Sequence, residues 1–200
     1  MGRGETTRQA ILDRATALAS EVGLTGLTIG RLADELDLSK SGLFGHFQSK
    51  EALQFQVLEH GAADFVERVV RPALAEPRGI PRLRALFERW LAWDSALPGG
   101  CVFVAASSEL DDRPGPVRDR LVELQGQWVD VLATSFRKAI ERGHVAADAD
   151  PDQFAQDLYG IMLSWHHRSR LLGDPAAEVR ARRAFEALLA AAPPAVPRPS

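Results

Sequence analysis

The sequence predicts an all-α protein in two parts, a small N-terminal helical domain followed by a larger helical domain. Apolar residues recur at the three-four spacing of amphipathic helices along most of the 200 residues. The period-two alternation that is typical of strands does not stand out in any segment. Gly, Pro and Asp-Pro pairs separate the periodic segments from one another. Together these observations predict about nine helices.

The composition excludes several classes of protein. A hydrophobic content of 46% in 200 residues is sufficient for a sizeable buried core. The longest apolar runs are shorter than the roughly 20 residues that cross a bilayer, and the N-terminus lacks the apolar core of a signal peptide. The single cysteine, Cys101, has no partner for an intrachain disulfide. We therefore expect a soluble cytoplasmic protein without a membrane partner.

The first helix is expected to begin after Thr6, where Gln9 completes a capping box, and to end at Gly23. Its apolar side then supports the segment that follows, residues 28–53. This segment contains two short helices, a tight connection and the start of a third helix. The helix starts are marked by three N-cap residues, Thr28, Ser39 and Ser49.

Residues 28–53 predict a helix-turn-helix. Ile29, Leu32, Ala33 and Leu36 form one apolar face, and after a break at 37–39 the same inward face continues through Leu38, Leu43 and Phe47. The middle helix, 40–47, is too short to be stable alone. It leaves several side chains outside the apolar face, as an element that enters a DNA groove requires: Lys40, Ser41, Gly42 and His46.

Helical periodicity continues to the C-terminal end. A helix from Lys50 to about Arg71 is expected to end at Pro72, with a turn region following to Pro81. Later helices are expected at 82–97, 101–110, 117–142, 151–172 and from Asp174 and Pro175 to about 192. The tail, 193–200, holds four prolines and is expected to be disordered. The predicted domains are thus 1–49 for DNA binding, 50–192 for the connecting helix and a larger domain, and the tail.

The segment LSKSGLFGHFQSKEAL resembles the recognition-helix segment of the TetR family of bacterial transcriptional regulators, and TRQAILDRATALASEVGLTGLTIGRLADEL resembles that family's first two helices. The resemblance covers about the first quarter of the chain. It departs from the common pattern at Gly42, where Thr or Ser is usual, and at Phe44, where Tyr is usual. The resemblance implies a homodimeric repressor that binds a palindromic double-stranded DNA operator and is released by a small-molecule inducer.

The resemblance also implies which residues contact DNA. Lys40 and Lys50 are expected at phosphates, Ser41 and the main chain of Gly42 at base edges, and His46 either at a phosphate or at the end of its own helix. Phe44 is expected to keep the packing of the usual Tyr without its hydrogen bond. The full predicted set is Thr28, Ser39, Lys40, Ser41, Gly42, Phe44, His46 and Lys50.

The predicted DNA-binding part of the chain does not have the positive net charge that is typical of a basic domain. Residues 1–60 carry six Lys or Arg against eight Asp or Glu, which gives −2, and the whole chain is formally −3. Phosphate contact depends on where the cations lie, and Arg3 and Arg8 are expected on an N-terminal arm. The resulting affinity per subunit should be modest and strongly dependent on salt.

The larger domain is expected to bind the inducer and to form the dimer. An apolar cavity is expected among these residues: Trp90, Trp93, Phe103, Ser107, Trp128, Trp165 and His166. A long apolar stripe fits core packing as well as an interface, but the resemblance favours a four-helix dimer interface built from 117–142 and 151–172. The predicted interface residues are Leu121, Leu124, Trp128, Val131, Phe154, Leu158, Ile161 and Trp165.

Two alternatives remain open from the residues alone. Cys101 follows two glycines at a helix start, where the helix dipole lowers a thiol pKa, so a thiol-responsive regulator is one alternative. An all-helical ligand carrier or enzyme without operator binding is another, although no nucleophile, base and acid stand at a recognisable spacing. His166 and His167 point about 100° apart on a helix and have no further ligand at a useful spacing. Neither a metal nor a cofactor is therefore expected.

Overall fold

The computed structural model describes the backbone of residues 3–192 and the side chains of residues 8–192. Over that range the chain is helical and contains no strand, which confirms the all-α prediction. Counting the continuous run 50–75 as one helix gives nine helices in the described part of the chain. None of them combines the length and apolar character needed to cross a membrane. The elements are α1 Arg3–Val22, α2 Ile29–Leu36, α3 Lys40–Phe47, α4 Lys50–Phe65, a π-helical segment Val66–Val70, α5 Arg71–Ala75, α6 Ile80–Ala96, α7 Val102–Leu110, α8 Pro116–Glu141, α9 Pro151–Arg170 and α10 Ala177–Ala191.

The predicted helix boundaries between α1 and α4 are confirmed. The Thr28 Oγ1 atom accepts the Arg31 N–H at 3.1 Å, and the Ser39 Oγ atom accepts the Gly42 N–H at 3.2 Å. Asp37 between them has left-handed backbone angles, with φ 51° and ψ 43°. An Asp tolerates this conformation better than most residues, and it reverses the chain within three residues.

Pro72 does not end the fourth helix, which corrects the sequence prediction. The chain passes through a π-helical segment, Val66–Val70, and resumes as α5 with Pro72 in its first turn. A π-helical turn is wider than an α-helical one, so it leaves room before the proline ring. A proline in the first turn also needs no N–H donor. The helical run therefore extends to Ala75.

Other boundaries move for similar reasons. The α1 helix begins at Arg3 and not after Thr6, because a residue that is able to cap does not stop a helix from starting earlier. The side chain of Thr6 lies outside the described side chains, as does the predicted tail. The α6 helix begins at Ile80 and accommodates Pro81 in its first turn.

The N-cap residue of α10 is Ala176, but the side chain of Asp174 stabilises the start of this helix. The Asp174 carboxylate accepts the Ala176 N–H at 3.0 Å and pairs with Arg168 at 2.6 Å and with Arg180. The hydrogen bond from Ala176 and then the two guanidinium groups lower the pKa of Asp174. This carboxylate therefore ties the end of α9 to α10.

The chain forms two compact units. Of the described residues, one unit comprises the chain through Val66 together with Asp94–Gln125, and the other comprises Glu67–Trp93 together with residues 126–192. These packing units cross the functional boundary predicted at 49/50, which stays a prediction. Aromatic pairs mark the two cores: Phe65 with Phe103 in the first, and Phe87 with Phe185, Trp90 with Trp165, and Phe136 with Phe154 in the second.

Candidate nucleic-acid interface

The short helix α3 has one buried side and one solvent side. Leu43 and Phe47 are fully buried, four residues apart, and they fix the helix against its neighbours. Lys40, Ser41 and Phe44 are exposed on the remaining surface. The α3 helix thus presents a cation, a hydroxyl and an aromatic ring to solvent.

Two of the predicted contact residues have structural roles. Ser39 caps α3, and its Oγ atom also accepts a hydrogen bond from the Ser41 hydroxyl at 3.3 Å. The main chain of Gly42 was predicted to contact base edges, but its amide donates to the capping Ser39 Oγ atom at 3.2 Å and so is already engaged. Thr28 caps α2 in the same way. The side chain of Ser41 is exposed on α3, as its predicted contact with a base edge requires.

Two apolar residues lie on the outside, contrary to expectation. The side chain of Phe44 is 56% exposed, so it does not keep the packing expected of it, and Leu38 is 46% exposed although it was expected on the inward face. The left-handed turn at Asp37 rotates the chain out of the helical periodicity that the prediction assumed. The exposed ring of Phe44 therefore lies on the same surface as Lys40.

The two lysines expected at phosphates differ in their surroundings. Lys40 is exposed at the first position of α3. The Lys50 ammonium instead donates to the Thr25 carbonyl oxygen at 2.5 Å, so it holds the α1–α2 loop. Lys40 is thus the better placed of the two for a phosphate.

The other cations near the helix-turn-helix divide in the same way. Arg31, in the first turn of α2, is exposed and was missed by the sequence analysis, although its position three residues after an N-cap signals a helix start facing solvent. Arg8 lies on α1 and donates to the Gln56 side chain at 2.6 Å, so it is not on a free arm. Arg14 pairs with Glu35, and that hydrogen bond raises the pKa of Arg14. The side chain of Arg3 lies outside the described side chains.

His46 lies exposed in the last turn of α3, where a cation is favourable. Its ring centroid is 6.3 Å from that of Phe47. Both readings made from the sequence, phosphate contact and helix end, remain compatible with this position.

Comparison with protein families decides the classification. Residues 11–57 match the model described as bacterial regulatory proteins of the tetR family, and residues 79–185 match the model described as the tetracyclin repressor-like C-terminal domain. The chain belongs to the TetR family. This family consists of transcriptional regulators, and both the predicted family and its two-part helical fold are confirmed.

A curated relative and two solved structures are similar to this chain over most of its length. The repressor DhaR of Mycobacterium sp. strain GP1 is 29% identical over 159 residues, which cover 79% of this chain and 78% of DhaR. A TetR transcriptional regulator from Chloroflexus aurantiacus has the same fold, with a TM-score of 0.83, 23% identity and coverage of 95% and 96% of the two chains. AibR, solved in complex with isovaleryl coenzyme A and operator DNA, has a TM-score of 0.71, 24% identity and coverage of 92% and 97%.

The residues predicted to bind a ligand in this TetR-family chain lie mostly in its cores. Five aromatic residues are at least nine-tenths buried within the chain: Trp90, Trp93, Phe103, Trp128 and Trp165. Ser107 lines a cavity of about 210 Å³ between α7 and α8, together with Leu110, Asp111, Arg118, Leu121, Val122 and Gln125. His166 is partly exposed on α9. Of the predicted set, Ser107 is thus the residue at this cavity.

The predicted dimer residues are also largely internal. The residues Leu121, Trp128, Phe154 and Leu158 are buried within their own chain and offer almost no surface to a second subunit, whereas Trp165 is buried but borders the groove described next. Leu124, Val131 and Ile161 are partly exposed. A groove of about 770 Å³ lies between α9 and α10, with Gly160, Ile161, Ala181 and Ala184 among its lining residues. The open surface on the late helices therefore follows α9 and α10 and not α8 and α9.

Cys101 lies at the N-cap position of α7 and is 2% exposed. Burial is the largest influence on its thiol and raises the pKa of Cys101 to about 12, although the Val104 and Phe103 amides act in the opposite direction. The lowering expected from the helix start is thus outweighed by desolvation. A thiol that is buried and protonated lacks the properties of a redox sensor.

Proposed function

We propose that this protein is a homodimeric repressor that binds a palindromic operator through two copies of α3 and dissociates when a small-molecule inducer binds. The observation that carries this proposal is the capped helix-turn-helix, whose third helix buries Leu43 and Phe47 and exposes Lys40, Ser41 and Phe44. The similarity to DhaR, a repressor, supports the same function. In this proposal the protein acts in the cytoplasm by binding its operator and its inducer, and it catalyses no reaction.

DNA recognition rests on the exposed surface of α3 and the start of α2. Lys40 and Arg31 contact phosphates, and Ser41 reaches a base edge in the major groove. The exposed ring of Phe44 suits apolar contact with the 5-methyl group of a thymine. Lys50 acts indirectly by holding the α1–α2 loop.

The inducer enters the cavity at Ser107, which Gln125 borders by donating from Nε2 to the Ser107 Oγ atom at 2.9 Å. Its volume of about 210 Å³ is below the roughly 300–1,000 Å³ of sites for drug-sized ligands, so it suits a small ligand or opens on binding. AibR shows that a protein of this fold binds both an acyl coenzyme A and operator DNA. Binding shifts the population toward a conformation whose two recognition helices no longer match the spacing of one DNA turn, roughly 34 Å.

The second subunit packs into the groove between α9 and α10. The groove lining includes small residues that permit close helix approach, namely Gly160, Ala177, Ala181 and Ala184. Ile161 contributes apolar surface. This arrangement replaces the pairing of α8 with α9 that the sequence predicted.

Selection of bound duplexes from a random DNA pool, at two salt concentrations, tests the proposal. We expect enrichment of an inverted repeat, and binding that weakens steeply as salt rises. A folded dimer that enriches no sequence would overturn the repressor proposal. The enriched duplex is then the probe for the variants described below.

A further inference from the structure

A carboxylate from outside the helix-turn-helix holds the loop that leads into it. The Glu109 Oε1 atom on α7 accepts the Leu24 N–H at 3.1 Å, and its Oε2 atom accepts the Thr25 N–H at 2.7 Å. These amides lie in the loop directly after α1, so they need hydrogen-bond acceptors from outside a helix. Hydrogen bonds to an ionised acceptor are about twice as strong as neutral ones. Glu109 is thus a two-point clamp on this loop.

The loop is shaped to receive the carboxylate. Gly23 has φ 78°, a conformation that side chains disfavour, and a Cβ atom built there would lie 2.1 Å from the Glu109 Oε1 atom. Any other residue at this position would therefore push Glu109 away. The absence of a side chain at Gly23 allows close contact between α7 and the loop.

The carbonyl groups of the same two residues bind to α4. The Leu24 oxygen accepts from Gln54 Nε2 at 2.6 Å, and the Thr25 oxygen accepts from Lys50 Nζ at 2.5 Å. Both residues are thereby held from two sides, by α7 through their N–H groups and by α4 through their carbonyls. Because Thr28 caps α2 three residues later, the position of this loop sets where α2 begins.

The opposite side of α7 lines the cavity described above. Ser107 and Leu110 border the cavity, while Glu109 points to the loop. Residues two apart on a helix project about 200° from one another, so Ser107 and Glu109 serve different faces of α7. A displacement of α7 at the cavity therefore moves the Glu109 carboxylate as well.

We propose that Glu109 is a positioning residue for operator binding, and that it connects the Ser107 cavity to the α1–α2 loop by a route separate from the connecting helix α4. This inference rests on the proposed repressor function. In the free protein, Glu109 holds the loop so that α2 and α3 present the DNA-binding surface. When the cavity is occupied, α7 moves and the clamp on Leu24 and Thr25 loosens.

Glu109→Gln tests the clamp, with Asp112→Asn, at an exposed position in the turn after the same helix, as the charge-matched control. Removing a negative charge by itself strengthens DNA binding, whereas loss of the clamp weakens it. We expect Glu109→Gln to reduce operator affinity about tenfold and Asp112→Asn to leave it equal or slightly higher. Amide hydrogen exchange at Leu24 and Thr25 should accelerate only in Glu109→Gln.

Glu109→Asp keeps the charge but is one methylene shorter, so it should bind the operator with intermediate affinity. This variant replaces Glu109→Gln in the test if Glu109→Gln does not fold.

A second arm tests the connection to the cavity. In a Cys101→Ala background, Val122→Cys is labelled with benzyl methanethiosulfonate, which places an aromatic ring at the cavity lining. We expect labelling to reduce operator affinity when Glu109 is present and to have a markedly smaller effect with Glu109→Gln. Equal effects in both backgrounds, or no effect in either, would overturn the connection.

The outcomes separate this inference from the proposed function. If the wild-type protein enriches no operator, the repressor proposal itself fails. If the wild type binds its operator and Glu109→Gln binds equally well despite faster exchange at Leu24 and Thr25, only the positioning role of Glu109 is overturned.

Discussion

Lys40 and Lys50 illustrate how two residues of one type in one motif acquire different roles. Lys40 is exposed on α3, while Lys50 donates to the Thr25 carbonyl and so stabilises the loop. We expect Lys40→Ala to weaken operator binding similarly for all sequences and to reduce the slope of log affinity against log salt by about 1, because one phosphate contact is lost.

Lys50→Ala is the matched comparison. It should leave the salt slope within about 0.3 of the wild type while lowering the free energy of unfolding of the first unit, measured in urea. If Lys50→Ala instead reduces the slope as much as Lys40→Ala does, Lys50 contacts a phosphate in the complex and its bond to Thr25 is exchanged on binding.

The thiol of Cys101 should be unreactive toward thiol reagents in the native protein. Burial keeps the thiol protonated until its pKa of about 12, while the unfolded chain ionises near its ordinary value of 9.0. The raised pKa means that this residue's contribution to native stability is complete below pH 9 and is lost as pH rises from 9 toward 12. At pH 8 we expect a thiol reagent to label the native protein at least about 100-fold more slowly than the urea-unfolded protein.

The Cys101 amide also has a structural partner, since it donates to the buried Asp94 carboxylate at 2.6 Å. The thiol itself is therefore dispensable for this contact, and Cys101→Ala should retain the fold and the inducer response. Rapid native labelling together with loss of operator binding on oxidation would revive the thiol-responsive alternative.

At the scale of elements, α3 carries two glycines within eight residues, which lowers its intrinsic helix stability. Nothing lies within 4 Å of a Cβ atom built at Gly45, and its φ is not positive. Gly45→Ala should raise the free energy of unfolding by about 0.5–1 kcal/mol, measured by urea denaturation. The exposed position next to Phe44 predicts that the added methyl group also alters operator affinity.

Gly126→Ala, at an equally open position of α8, is the control for this substitution. It should stabilise the protein by a similar amount without changing operator binding. Equal operator affinity for both variants would show that Gly45 lies outside the DNA contact surface.

The elements also show what local sequence rules predict and where they stop. The caps at Thr28 and Ser39 were predictable because they depend on residues within three positions along the chain. Pro72 misled because a π-helical segment changes the local geometry, and no single residue signals that change. The clamp by Glu109 could not be predicted, since it joins residues 84 and 85 positions apart in the sequence.

The proposed function requires two copies of the molecule to associate, and the interface that we propose differs from the pairing of α8 with α9 that the sequence predicted. An amphipathic stripe shows that a helix side is buried but not which surface buries it. Trp128 and Leu158 have the spacing expected of an interface, yet they are buried inside their own chain. The groove between α9 and α10 is instead open, and small residues such as Gly160 and Ala181 stand among the polar and charged residues that line it.

Gly160→Arg and Gly126→Arg distinguish the two candidate interfaces. Both glycines are exposed in mid-helix with nothing within 4 Å of a built Cβ atom, so the subunit should keep its fold in each variant. Gly160→Arg places a charged side chain in the α9–α10 groove, and we expect it to shift the protein toward monomer in sedimentation velocity. Operator affinity should fall with it, because half of the phosphate contacts are lost. Gly126→Arg on α8 should remain dimeric, and a reversal of these two results would return the interface to α8.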